Sequence, residues 1–66
     1  MKNSLKVERA IKNITQEELA REIGVTRQAI NSIELGKYVP STVLALKLSR
    51  YFGKPVNDLL SLEERD

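Results

Sequence analysis

Residues Thr15 to Gly36 read TQEELAREIGVTRQAINSIELG. Two short helices, with their start and stop signals, fit into this stretch. Thr15 is a candidate N-cap, and Glu18, three residues on, is its capping-box partner. Leu19, Ala20 and Ile23 share one helical face. Gly24 supplies the positive φ that ends a helix and opens a tight turn. Val25 can plug that turn into a core, and Thr26 caps a second helix. The second helix buries Ala29, Ile30 and Ile33, and Gly36 stops it. The unit is helix, short turn with glycine, capped helix.

That unit is the DNA-binding helix-turn-helix pattern. At about 100° per residue, Gln28, Asn31 and Leu35 lie opposite the apolar side of the second helix, flanked by Arg27 and Ser32. The outer face is rich in amide and guanidinium groups and nearly free of acids. Gln and Asn can bond adenine bidentately, and Arg can bond guanine or a phosphate. An ordinary solvated face more often carries Glu and Lys. The turn that precedes this one favours base reading by Arg27, Gln28, Asn31 and Ser32. Glu34 falls at the edge of the buried side, where a carboxylate is structural, since on the outer side it would repel phosphate.

The pattern T-Q-E-E-L-A-x-x-I-G-V-T-R-Q-x-I-x-x-I-E-x-G-K-Y-x-P-S resembles the Cro/CI-type (XRE) helix-turn-helix regulators of bacteria, archaea and their phages. The likeness runs from about Leu5 to Leu60 and is strongest to compact members of about this length. It is specific, because caps, turn glycine, core positions and the following G-K-Y-x-P-S coincide. It implies an all-α, five-helix, lambda-repressor-like domain over residues 1–66. It implies that Gln16 bonds a DNA phosphate, and that the arginine at Arg9 pairs with the glutamate at Glu34, tying the first helix to the recognition helix. The periodic placement of Glu34 at the core boundary agrees with that pair. The resemblance also turns Leu5 and Arg9 to the core and leads one to expect an apolar residue where Glu8 stands.

Composition narrows the function. Sixty-six residues make a core near the lower limit for folding without staples. There is no Cys and no His, which removes thiolate chemistry, the commonest metal ligand and the commonest general base. With no Gly-rich phosphate loop either, an enzyme is not expected, nor is any cofactor or metal. No apolar run reaches membrane-spanning length and no signal peptide is visible, so a cytoplasmic protein is expected. The net charge of +2 is uneven. Residues 58–66 hold four acids and one base, whereas residues 1–57 hold ten bases and five acids. A basic body with an acidic tail suits a polyanion partner held away from the C-terminus.

Outside the central unit, Ser4 to Asn13 reads as a first helix whose Val7, Ala10, Ile11 and Ile14 form an apolar face. Leu5 and Arg9 point nearly the other way, and charged Glu8 is expected at the surface. After Gly36, Lys37 offers a point charge. Tyr38 offers a hydroxyl that either contacts phosphate or sugar or only packs on the loop. Thr26, at the head of the recognition helix, joins Gln16, Lys37 and Tyr38 as a backbone contact. Ser41 caps a fourth helix, Thr42 to Phe52, with Ala45, Leu48, Ser49 and Phe52 on one face. Gly53 ends it, and Pro55 opens a short fifth helix that runs to about Leu60. Val43, Leu44, Leu46, Val56, Leu59, Leu60 and Leu62 are more apolar surface than one face needs. Part of it should cover the Val7 and Ile11 side, with the tail as a short strand beside residues 1–4. The remainder, centred on Leu44, Leu59 and Leu60, is expected to form a two-fold dimer patch.

The sequence therefore predicts a transcriptional regulator binding double-stranded DNA, a repressor acting as a homodimer on a two-fold operator, with no small-molecule ligand. An antitoxin of a toxin–antitoxin pair and a protein-interaction adaptor on the same fold are the alternatives. An antitoxin would carry a toxin-binding arm. An adaptor would place acids or apolar groups where Arg27, Gln28 and Asn31 stand.

Overall fold

The computed structural model describes residues 1–66. The elements are β1 (Lys2–Asn3), α1 (Leu5–Lys12), α2 (Gln16–Ile23), α3 (Arg27–Glu34), α4 (Thr42–Phe52), α5 (Val56–Leu59) and β2 (Leu60–Ser61). The fold is all-α, closed at its ends by an antiparallel pairing of β1 with β2, with Lys2 opposite Ser61 and Asn3 opposite Leu60. The tail thus runs beside the first residues, as the sequence suggests.

Local signals set the helix ends. Thr15 Oγ1 accepts from the Glu18 N–H, and the Glu18 carboxylate accepts from the Thr15 N–H, completing a capping box. Thr26 and Ser41 cap α3 and α4 through the N–H groups of Ala29 and Leu44. At the end of α3, Gly36 at φ 76° lets its N–H reach the Ile33 carbonyl and the Lys37 N–H reach that of Ser32. This pair of bonds satisfies carbonyls that the helix end would orphan. Asn13 does the same for α1 at φ 58°, the one residue other than glycine in the left-handed region. An amide side chain tolerates that region better than a branched one. Pro55 sits at the N-cap of α5, one residue earlier than the first helical position expected of it.

Eleven side chains form one core: Leu5, Leu19, Ala20, Ile23, Ile30, Ile33, Leu44, Leu48, Phe52, Leu59 and Leu60. Every helix contributes, and α2 packs on α3 and α4. Two expectations are corrected here. The first concerns α1. Its Val7, Ala10 and Ile11 face lies open, with Val7 59% and Ile11 69% exposed, and Leu5 and Glu8 are buried instead. Glu8 is not at the surface, because Lys54 Nζ, 46 residues away, donates to its carboxylate at 2.7 Å. A period along one helix shows which residues share a side, but the position of the partner element decides which side is covered.

The second correction concerns the dimer patch. Leu44, Leu59 and Leu60 are 7%, 1% and 8% exposed and belong to the core of one chain. The apolar side chains left open nearby are Val43, Leu46 and Leu62. Leu46 and Leu62 border an apolar groove of about 570 Å³, together with Met1, Pro40, Ala45 and Val56.

The Glu8–Lys54 pair is asymmetric, with the carboxylate side chain 11% exposed and the lysine 42%. Lys54→Ala leaves a buried carboxylate unpaired and is expected to cost about 2 kcal/mol. Glu8→Leu frees a lysine that water reaches and fills the site with apolar volume, so it should be neutral or stabilising. Urea denaturation of both variants checks the order. A more stable Lys54→Ala than Glu8→Leu would overturn this reading of the pair.

Candidate nucleic-acid interface

The outer side of α3 gathers the predicted residues. Ile30 and Ile33 are buried, whereas Arg27, Gln28 and Asn31 are exposed and Ser32 is half-buried. Leu35 stands beyond them, 60% exposed. The turn at Gly36 brings Lys37 and Tyr38 back beside the start of the helix. As a result Thr26, Gln28, Ala29, Ser32, Lys37 and Tyr38 line one shallow concavity of about 380 Å³. Tyr38 is 49% exposed, so its ring is not consumed by packing. A second concavity, of about 420 Å³, is lined by Arg9, Ile14, Thr15, Gln16, Glu17 and Arg27. Arg27 and Lys37 take part in no ion pair, so both charges are free for an anion.

Beneath this surface lies a polar anchor. Arg9 Nε donates to Glu34 Oε2 at 2.6 Å and Arg9 Nη2 to Glu34 Oε1 at 3.0 Å, a bidentate pair. Arg9 Nη1 also donates to the Ile14 carbonyl at 3.0 Å, which fixes the α1–α2 turn. The Glu34 side chain is 5% exposed. Burial works to raise its pKa, but the hydrogen bonds from Arg9 and Gln16 and the charge of Arg9 prevail and hold it below the usual carboxylate range. The hydrogen bond to Glu34 raises the Arg9 pKa in turn, against the opposing effect of burial. Glu34 is therefore an ionised, acceptor-only group at the base of the recognition helix.

In the free protein the Gln16 side chain turns inward. Its Nε2 donates to Glu34 Oε1 at 3.1 Å and to Asn31 Oδ1 at 3.1 Å. Both amide hydrogens are engaged within the free protein, so a phosphate contact through Nε2 would replace one of these bonds. The reading from sequence also missed Asn3. Its Nδ2 donates to the Ile33 carbonyl at 2.8 Å and its Oδ1 accepts from the Leu5 N–H at 3.2 Å, bracing α3 against the start of α1. Asn3 precedes any periodic segment, so no pattern marks it.

A capped, glycine-turned helix pair presenting an amide-rich helix with an unpaired arginine at its start defines the helix-turn-helix class of DNA-recognition folds. Comparison with known proteins agrees. A family profile described as Helix-turn-helix matches residues 5–59. An uncharacterized HTH-type transcriptional regulator of Methanocaldococcus jannaschii is 50% identical over 97% of both chains. The HTH-type transcriptional regulator YgzD of Bacillus subtilis is 46% identical over the whole of both chains. The transcriptional activator BcrR of Enterococcus faecalis is 42% identical over 80% of this chain and 26% of its own length. The chain belongs to the Cro/CI-type helix-turn-helix family of transcriptional regulators, which is not an enzyme family. No helix is long and apolar enough to cross a membrane.

Arg9→Ala strands a buried carboxylate and Glu34→Ala a half-buried guanidinium. Each is expected to cost about 3 kcal/mol, and the double variant less than their sum. The pair also makes stability depend on pH in one direction. Because the Glu34 pKa is lower folded than unfolded, its contribution is complete above the ordinary value near 4.5 and drains away as pH falls below it. The stability gap between the wild type and Glu34→Gln should therefore narrow on acidification. Thermal unfolding across that range checks both points, and a constant gap with strict additivity would contradict the pairing.

Proposed function

We propose that this regulator binds double-stranded DNA sequence-specifically, as a homodimer that represses by occluding a promoter in the cytoplasm. The observation that carries the proposal is the concavity shared by Gln28, Ser32, Lys37 and Tyr38, with Arg27 and Asn31 exposed on the same helix and both cations unpaired. α3 enters the major groove, where Arg27, Gln28, Asn31 and Ser32 face base edges. Lys37, Tyr38, Thr26 and the main-chain N–H groups at the start of α2 face the sugar–phosphate backbone, fixing register without reading sequence. Leu35 supplies an apolar contact of the kind a thymine methyl offers.

A protomer with one short recognition helix covers one half-site, and two half-sites about 34 Å apart call for a two-fold partner. The open apolar side chains Leu46 and Leu62, at the groove between α4 and β2, are the surface we assign to that partner. A charge at Leu44 or Leu60 would disrupt the core and unfold the chain. Leu46→Glu or Leu62→Glu should instead split the dimer and leave the protomer folded. Sedimentation equilibrium at micromolar concentration reads this directly, and a wild-type monomer that binds a two-half-site operator without cooperativity would rule the dimer out.

Binding to DNA flanking the protein's own gene tests the central reading. Gln28→Ala is expected to cost about 1–3 kcal/mol on the specific site and much less on random DNA. Lys37→Ala should weaken both alike and lower the salt slope by about one unit. Fluorescence anisotropy over a range of salt concentrations separates the two effects. Unchanged site preference in Gln28→Ala would refute the assignment of the outer face. One relative is a named activator, so a reporter fusion decides the sign of regulation, with repression expected.

A further inference from the structure

The polar chain beneath α3 ends on a base-reading candidate, and its direction can be derived. Glu34 is ionised and can only accept hydrogen bonds. The Gln16 atom 3.1 Å from it is therefore the nitrogen, Nε2, whatever the shape of the amide alone would allow. That nitrogen also faces Asn31 at 3.1 Å, so the Asn31 atom turned inward is the acceptor, Oδ1. The free end of the Asn31 amide is then Nδ2, which makes no hydrogen bond within the protein and carries two donor hydrogens. The anchor of the chain is firm, because Arg9 grips Glu34 through two bonds and the Glu34 side chain is nearly sealed from water. Bonds to a charged partner are the strong ones, and removing water on docking strengthens the rest of the chain.

We propose that Gln16 is a positioning residue that locks the Asn31 amide with its donor end outward, so that Asn31 rejects cytosine at the base it faces. This rests on the DNA-reading role of α3 proposed above. Adenine, guanine and thymine each present at least one acceptor on the major-groove edge, whereas cytosine presents only the N4 amino donor. A free asparagine meets cytosine by turning its amide over and accepting through Oδ1. An asparagine whose Oδ1 is held by Gln16 must first break that bond, and would leave the Gln16 hydrogen without a partner. Gln16 thus acts on specificity through Asn31, where a phosphate contact would act on affinity alone.

The test uses the full chain and DNA selected from a randomised duplex pool. The column read by Asn31 is the one whose preference flattens in Asn31→Ala. At that column, cytosine on the contacted strand is expected to bind wild type at least about tenfold more weakly than the preferred base. Gln16→Met keeps the length of the side chain and removes its donors, and should bring cytosine within about threefold of the preferred base. Gln16→Lys offers donors alone, so it should retain the exclusion of cytosine even though its charge raises affinity for every duplex. A uniform loss of affinity in Gln16→Met, with the cytosine ratio unchanged, would overturn the proposal in favour of a phosphate contact. If Asn31→Ala flattens no column, the proposal also fails, while the Gln28 and Lys37 results judge DNA reading separately. In the free protein, NMR should show the Gln16 side-chain amide exchanging more slowly with water than that of Asn31. Equal, fast exchange would mean that the chain of bonds is absent and would overturn the proposal without reference to DNA.

Discussion

The bidentate pair of Arg9 with Glu34 joins the first helix to the recognition helix, and the candidate interface depends on it. Arg9 also holds the Ile14 carbonyl, so one guanidinium fixes the α1–α2 turn and the end of α3 together. A core of eleven side chains in a chain of this size leaves little redundancy in how elements are oriented. Apolar contacts are non-directional and tolerate small rotations of a helix. A forked donor on a planar carboxylate does not. Such a pair contributes modestly to net stability, because desolvation offsets attraction, but it specifies one geometry.

That geometry reaches the surface through Gln16. Glu34 accepts from Gln16, and Gln16 donates to Asn31, so the ordering of a buried charge passes to an exposed amide on α3. On the other flank, Asn3 ties the Ile33 carbonyl to the start of α1, and the β1–β2 pairing ties the ends of the chain together. The recognition helix is therefore braced at its C-terminal end by two independent polar contacts. Its first turn, capped by Thr26, is left open with Arg27 and Gln28 exposed. A rigid base and an open tip suit an element that must present a few side chains in fixed register to a groove.

Much of this was legible in the sequence where the cause is local. Thr15 with Glu18, Gly24, Thr26, Gly36 and Ser41 are caps and turns decided within a few residues, and the structure has them all in place. The outer face of α3 follows from its own period. What was not legible depends on distant partners. The Val7, Ala10 and Ile11 stripe looks like a core face until the rest of the fold leaves it open, and Glu8 looks like a surface residue until Lys54 arrives from beyond α4. Leu44, Leu59 and Leu60 are apolar enough for a dimer patch, but hydrophobicity does not say whether a side chain is covered by its own chain or by a second one. The inward bonds of Gln16 to Glu34 and Asn31 were not legible, because they require three side chains from two helices to converge.

The central claim is that α3, held by Arg9 and Glu34, lies in the major groove of a two-fold site. Guanine N7 opens only onto that groove, so methylation protection on the tightest-binding duplex from a randomised pool reports it directly. The account expects guanines protected in two clusters about 34 Å apart, one helical turn, with protection lost in Glu34→Ala at concentrations where Glu34→Gln still binds. A bound duplex whose guanine N7 positions stay fully reactive would contradict it.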